Sequence, residues 1–328
     1  MKLVRLLAAA SLSITGLLAS AVRAEPTPVT VGYDNWVGHA GVFVGVEKGL
    51  FEKYGIKVTL KSFPGPGDVI GPLQSGQLDI GLTTADTVLI TDAGPGHKLI
   101  NVGFVDVSTG ADAIVVKKSI KSVADLKGKK VAASQGQCNQ LLLQKALATV
   151  GLSEADVVFS NMDGDQAATA FLSGNLDAAA TWEPWVSQIT AGGTGYVAYS
   201  SKDAPDIIFD SIAVTSGHAQ GHGKEIVAFL KGMNDGVAYL KAHPEEGQKI
   251  TAAVLSSKPE DVKTMLKGVT IYGLEENMQQ VGTAEQPGPV MAALDRIADF
   301  QVAHKVYDKK PDAAATVDRS YILKATAK

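Results

Sequence analysis

Two stretches of this chain repeat each other. Pro72-Leu-Gln-Ser-Gly-Gln-Leu-Asp-Ile-Gly81 matches Ala170-Phe-Leu-Ser-Gly-Asn-Leu-Asp-Ala-Ala179, and Gly76 and Gly174 stand 98 residues apart. Each copy has the pattern of a helix end closed by glycine and a strand entered through Leu-Asp. A chance match is the plainer alternative. Around both copies, however, short β-rich runs and helical spacing alternate in a similar series, which favours two α/β lobes of similar topology.

The alternation predicts strands over 29–33, 56–60, 78–82 and 98–105, with helices over 40–54, 69–74 and 86–93 between them. The second series has strands over 111–116, 129–133, 157–160 and 176–181, and helices over 138–150 and 166–172. A strand over 211–215 leads into a helical final third, with helices over 224–242, 248–255, 259–266 and 290–304. Short turns between alternating elements imply a mostly parallel sheet with helices on both faces.

The 328 residues suffice for about two domains. Thirty Lys+Arg against 34 Asp+Glu, with no long basic run, argue against a nucleic-acid binder. Cys138 is the sole cysteine, which excludes an intrachain disulfide and a paired-thiolate zinc site. The start of the chain reads as a secretory leader over 1–24: Lys2 and Arg5, an uncharged run from Leu6 to Val22, then Val22-Arg23-Ala24 as the cleavage signal. A membrane anchor is the alternative, but the run is short and broken by Ser11, Ser13, Thr15, Gly16 and Ser20. The mature product is expected to be exported, soluble and periplasmic.

Equal steps from the two glycines reach Thr83-Thr84-Ala85-Asp86 and Thr181-Trp182-Glu183-Pro184, both at strand C-termini that open helices. In open α/β sheets ligands bind beyond those strand ends, so two facing lobes would bring both loops to one cleft. Asn35, Trp36 and His39 lie in the loop after the first strand, where Trp36 suits a ligand wall and Asn35 a hydrogen bond; a capping loop around a buried tryptophan is the alternative. Gln135, Gln137 and Cys138 open a helix, whose free N–H groups suit an anion. Cys138 reads more simply as a small buried residue. Glu183 suits either the helix dipole or a ligand cation, and Asp210, near the return between lobes, suits an amine or a strand-end cap. The run from Phe63 to Asp68 lacks the dinucleotide spacing and reads as a tight turn. No nucleophile elbow, zinc-protease or phosphate-loop motif is present. His218 and His222 are four apart, but Gly217, Gly221 and Gly223 argue for a loop there. No catalytic residue, metal or cofactor is expected.

The chain resembles the periplasmic solute-binding proteins of ABC importers for taurine, alkanesulfonates and nitrate, with taurine-binding members nearest. The resemblance rests on Val31-Gly-Tyr33 with Trp36, Glu47-Lys-Gly-Leu-Phe-Glu-Lys-Tyr-Gly-Ile56, the two Leu-Asp segments, Asp125-Leu-Lys-Gly-Lys-Lys-Val131 and Trp182-Glu-Pro-Trp185. It implies an α/β, two-lobed periplasmic-binding-protein fold with two interlobe crossings, closing around a small-molecule solute and delivering it to a membrane permease. Lobe 1 would comprise 25–110 and 214–328 and lobe 2 residues 111–213, with crossings at 111–116 and 209–215. A monomer is expected. An aminosulfonate such as taurine meets both charge conditions: Asp34, Glu183 and above all Asp210 for the amine, and Thr83, Thr84 and the helix start at Gln135–Cys138 for the anion. Another solute, an alkanesulfonate, nitrate or small nitrogenous compound, is the alternative. An enzyme of thiamine-pyrimidine synthesis shares the fold, but it is intracellular and uses a reactive His and Cys.

Overall fold

The computed structural model describes residues 25–91, 98–306 and 308–327. The expected leader and the last two residues of the helix expected over 86–93 lie outside these. The chain first lays down β1 (Thr27–Asp34), β2 (Ile56–Phe63), β3 (Ile80–Thr84) and β4 (Leu99–Ser108). It then builds a second sheet from β5 (Asp112–Lys117), β6 (Lys130–Ala133), β7 (Val158–Asn161), β8 (Ala178–Trp182) and β9 (Gly195–Ser200). It returns to the first sheet as β10 (Phe209–Thr215) and β11 (Val269–Ile271).

The two sheets share one plan. The order β2-β1-β3-β10-β4 in the first matches β7-β6-β8-β5-β9 in the second, and β11 adds an edge to the first. The sequence repeat sits at equivalent places. Asp79 Oδ2 accepts the N–H of Thr30 on β1 (2.7 Å), and Asp177 Oδ2 accepts the N–H of Lys130 on β6 (3.1 Å). Thr83 Oγ1 donates to the Pro66 carbonyl and Thr181 Oγ1 to the Gly164 carbonyl, each reaching back 17 residues. Gly76 and Gly174 have φ of 74° and 81°, the left-handed conformation that ends each preceding helix at little steric cost. The Leu-Asp of the repeat is therefore a device for joining a strand to its parallel neighbour.

Neither sheet is mostly parallel, contrary to the expectation from alternation. β1 pairs in parallel with β2 and β3, and β6 with β7 and β8. β10 and β5 each pair antiparallel on both sides. The reason is the exchange of strands: β5 and β10 each arrive from the opposite lobe and run against the strands already there. β10 lies wholly in the first sheet, so the boundary expected at 213/214 falls inside a strand. The chain crosses at 109–111 and again at 201–208. The crossings are tied by Ser108 Oγ and Ser201 Oγ at 2.8 Å, with the Gly110 N–H on Ser201 Oγ and the Asp112 N–H on Ser108 Oγ.

Helices cover the sheets: α1 (Ala40–Glu47), α2 (Ile70–Gln74), α3 (Ala85–Ile90), α4 (Cys138–Ala148), α5 (Gly164–Leu172) and α6 (Trp185–Ala191) alternate with the strands. The last third supplies α7 (Ser216–Gly221), α8 (Gly223–Ala242), α9 (Pro244–Val254), α10 (Pro259–Met265), α11 (Leu274–Val281), α12 (Pro289–Ala303) and α13 (Ser320–Thr326). The loop expected around His218 is in fact helical, because Thr215 Oγ1 caps the His218 N–H; His218 and His222 stack with centroids 4.4 Å apart. α12 belongs to neither lobe alone: Ile297 and Phe300 pack in one apolar cluster with Leu89 of the first lobe and Leu142 of the second. Among the described residues no helix is long and apolar enough to cross a membrane.

The repeat gives a measurable consequence. Asp79→Ala orphans the Thr30 N–H and should cost roughly 1 kcal/mol of unfolding free energy, with Asp177→Ala costing a similar amount, since solvent reaches Lys130 but the Lys117–Asp177 ion pair is lost as well. Urea midpoints check this; an unchanged midpoint for Asp79→Ala would remove the carboxylate from the account of the strand junction.

Candidate functional site

Strand ends from both sheets meet at a cleft with about 330 Å³ of space between its walls, counting the part open to solvent. Asp34 ends β1, and Asp210 is the second residue of β10. From the other lobe Asp112 opens β5, directly opposite Trp182 at the end of β8. Trp36, Thr84, Gln137, Cys138 and Asn139 complete the polar and aromatic wall, with Pro66 and Ile208 as apolar filling.

The tryptophans are fitted into place by glycines. Trp36 Nε1 donates to Asp106 Oδ2 at 2.9 Å, and a Cβ on Gly38 would stand 1.7 Å from that oxygen. A Cβ on Gly164 would stand 2.1 Å from the Trp182 ring. Behind the wall, His39 is fully buried and its Nε2 meets Asp34 Oδ1 at 2.8 Å, which holds that carboxylate.

The electrostatics of the site are one-sided. Asp106 on β4 and Asp210 on β10 are cross-strand neighbours, a like-charge pairing that antiparallel sheets ordinarily avoid. The register slips by one residue beside Asp210, a local irregularity of the kind that re-aims side chains near sites. Asp34, Asp86, Asp106, Asp112 and Asp210 are all buried. Among the described residues no lysine or arginine forms an ion pair with any of them, and His39 is the only basic partner. Burial pushes the Asp112 carboxyl up to about 7. Burial also lifts Asp106 to about 6, against the pull of His39 and the Trp36 N–H. Asp210 is driven well above the usual carboxylate range by burial, then by Asp106, Asp34 and Asp112. Burial raises Asp86 as well.

Of the expected site residues, Trp36, Thr84, Gln137, Cys138, Trp182 and Asp210 line the cleft. Asn35 and His39 do not, although His39 steadies Asp34 from behind. Thr83 is buried with its hydroxyl on Pro66, and Gln135 is exposed. Glu183 holds the Ser187 N–H and hydroxyl with its two oxygens (3.0 and 2.9 Å) and caps α6. The helix start read as an anion receptor is filled from within: the N–H groups of Gln135, Gly136, Gln137 and Cys138 go to Asn161, Gln140, Ser134 and Asp86. The last of these, Cys138 N–H to Asp86 Oδ2 at 2.8 Å, joins the lobes. Asp112 and Asn139 were missing from the expected set. The sequence signal for Asp112 was only its place at the outgoing crossing, and Asn139 had none beyond following Cys138.

Two lobes of matching topology joined by two crossings around this cleft define a two-lobed periplasmic-binding-protein fold. The alkanesulfonate-binding protein SsuA from Xanthomonas axonopodis pv. citri, solved with MOPS bound, has it: TM-score 0.74 and 25% identity, covering 90% of this chain and 100% of that one. A Bacillus subtilis (strain 168) protein named for binding aliphatic sulfonates is 30% identical across 87% of this chain and 84% of its own length. The taurine-binding periplasmic protein of Escherichia coli (strain K12) is 27% identical across 88% and 90% respectively. The chain belongs to the NMT1/THI5-like family, which matches residues 36–247.

The raised carboxyls set the sign of a pH effect. Between the ordinary aspartate value of 3.8 and the folded values of about 6 and 7, the native state holds protons that the unfolded chain has released. Stability of the ligand-free protein should therefore fall as pH rises through that window, and its melting temperature should be several degrees lower at pH 8 than at pH 5. Asp112→Asn should flatten the upper part of the slope. A melting temperature that rises from pH 5 to 8 would contradict the assignment.

Proposed function

We propose that this chain is the periplasmic solute-binding component of an ABC importer. It captures a small amine-bearing solute by closing its two lobes and hands it to a membrane permease. On sheet membership β1–β4, β10 and β11 form one lobe and β5–β9 the other, with α12 shared between them. The carrying observation is the cleft itself, lined from both lobes, with Asp34 and Asp210 of the first facing Asp112 of the second. A solute touching both sides binds the closed state preferentially and shifts the population toward it.

The ammonium of an aminosulfonate such as taurine fits these carboxylates. Its sulfonate is less well served, since the Cys138 N–H at the α4 start is taken by Asp86 and the donors left on the wall, the Gln137 and Asn139 amides and the Trp182 indole N–H, carry no charge. Catalysis is disfavoured by the state of the thiol: Cys138 is buried and its pKa is pushed well above the usual value, first by burial and then by nearby aspartates, so it is a poor nucleophile. His39 lies behind Asp34 rather than beside Cys138, and supports a binding role.

A thermal-shift panel of amines, aminosulfonates, sulfonates and oxyanions tests this, with small-angle scattering on each positive. Amine-bearing members should stabilise saturably and reduce the radius of gyration. Asp210→Asn should weaken them by roughly tenfold or more, since one charge-assisted bond contributes about 1.5–3 kcal/mol. Stabilisation with no change in the radius of gyration would remove lobe closure, and turnover of a bound solute would favour the enzyme.

A further inference from the structure

We infer that the cleft takes a compact organic cation, a protonated amine, amidinium or guanidinium carrying no anionic group of its own. This rests on the solute-binding role proposed above and names the substrate class.

Charge is the first observation. Asp34, Asp112 and Asp210 line the cleft, with Asp106 immediately behind Asp210 and Asp86 at the lobe junction. His39, behind Asp34, is the one basic group that meets them among the described residues. A buried carboxylate without a counter-ion is costly, and a group so placed takes up a proton or awaits a cation. A ligand with balanced charges would leave the excess of carboxylates as it was. A sulfonate would add to it at short range.

The second observation is independent of that count. Asp112 Oδ2 is buried without any hydrogen-bond partner and lies on the cleft wall. Acceptors left open in this way want N–H donors, which a nitrogen cation presents in number. Asn139 Nδ2 is also open on the same wall. One uncharged acceptor, a hydroxyl or an imine nitrogen, suffices for it, whereas a sulfonate needs several donors and a compensating charge. Trp36 and Trp182 suit the same ligand, since indole rings attract cations through their faces.

The third is the fate of the anion receptor. The N–H of Cys138 at the start of α4 is closed by Asp86 from the opposite lobe, so the protein supplies its own anion there. An anionic group bound at that N–H would have to displace a buried carboxylate and open the lobe junction.

Binding then carries a proton balance. The groups facing the ligand are Asp34 on β1, Asp210 on β10 and Asp112 on β5, with Asp106 on β4 behind Asp210. Asp86 on α3 and Cys138 on α4 flank them, with His39 behind. In the empty cleft the carboxyls raised by burial hold protons at mildly acid pH, Asp106 below about 6 and Asp112 below about 7, with Asp210 also driven upward. A cation entering favours their ionised forms, and the displaced protons go to solvent. Affinity for a cation should therefore rise with pH while the ligand itself stays protonated.

The test is calorimetry with ethylammonium, guanidinium, taurine and ethanesulfonate, at pH 5.5, 6.5 and 7.5 and in buffers of different ionisation enthalpy. Taurine is ethylammonium extended by a sulfonate, and ethanesulfonate has that sulfonate without the amine, so the series isolates each charge. The expected result is ethylammonium or guanidinium binding at least tenfold tighter than taurine, no detectable ethanesulfonate binding, tighter binding at pH 7.5 than at 5.5, and proton release. Asp112→Asn should weaken the cation tenfold or more while raising the melting temperature of the empty protein, which separates lost recognition from lost folding. Taurine or ethanesulfonate binding more tightly than either cation would overturn the inference and leave the importer reading standing. Failure of all four ligands to bind would overturn it too, and would remove the amine from the proposed function.

Discussion

Asp106 and Asp210 face each other across two antiparallel strands in the interior of the protein, and much of the surrounding structure accommodates that contact. Two buried carboxyls side by side cannot both ionise cheaply, so one holds a proton against the other. The neighbours act to contain the pair. Trp36 donates its indole N–H to Asp106, and Gly38 leaves the space for both. A core built only for stability would have apolar residues at these positions. Retaining acids there is the pattern expected where stability is given up for recognition.

The lobes are joined by more than the two crossings. Ser108 and Ser201 tie the crossings to each other, so that neither segment moves freely. Gln301 of α12 donates to the carbonyls of Asp86 and Gly136, one in each lobe, and the apolar side of the same helix packs against both. Any rotation of one lobe against the other, as the proposed closure requires, would slide along α12. The Asp86 contact to the Cys138 N–H lies at the cleft end of the same junction. Helix docking, the lobe junction and the electrostatics of the site thus share residues.

Likeness to sulfonate and taurine binders extends over nearly the whole chain, yet the frame and the ligand chemistry are separable. The strand order, the repeat and the strand junctions at Asp79 and Asp177 are properties of the frame. The acids of the cleft lie at strand ends and crossings, where a side chain changes without disturbing the sheet.

The sequence by itself determined the two lobes, because the repeat around Gly76 and Gly174 encodes the same local event twice: a helix closed in the left-handed conformation and a strand pinned by Asp to its neighbour. It determined most elements, and it pointed to Trp36, Thr84, Trp182 and Asp210 by their positions at strand ends. It did not carry the direction of β5 and β10, because exchange of strands between lobes is a relation between segments far apart in the chain. It left β9 unassigned for lack of any strong local pattern. It misjudged the helix start at Gln135–Cys138, since a free N–H in sequence is free only until Asp86 and Asn161 arrive from elsewhere. The acidity of the cleft was likewise decided by tertiary structure. Asp34, Asp86, Asp106, Asp112 and Asp210 are scattered over 177 positions and look like ordinary surface acids one at a time. Only folding removes their water, brings them together and leaves all but Asp34 without a basic partner among the described residues.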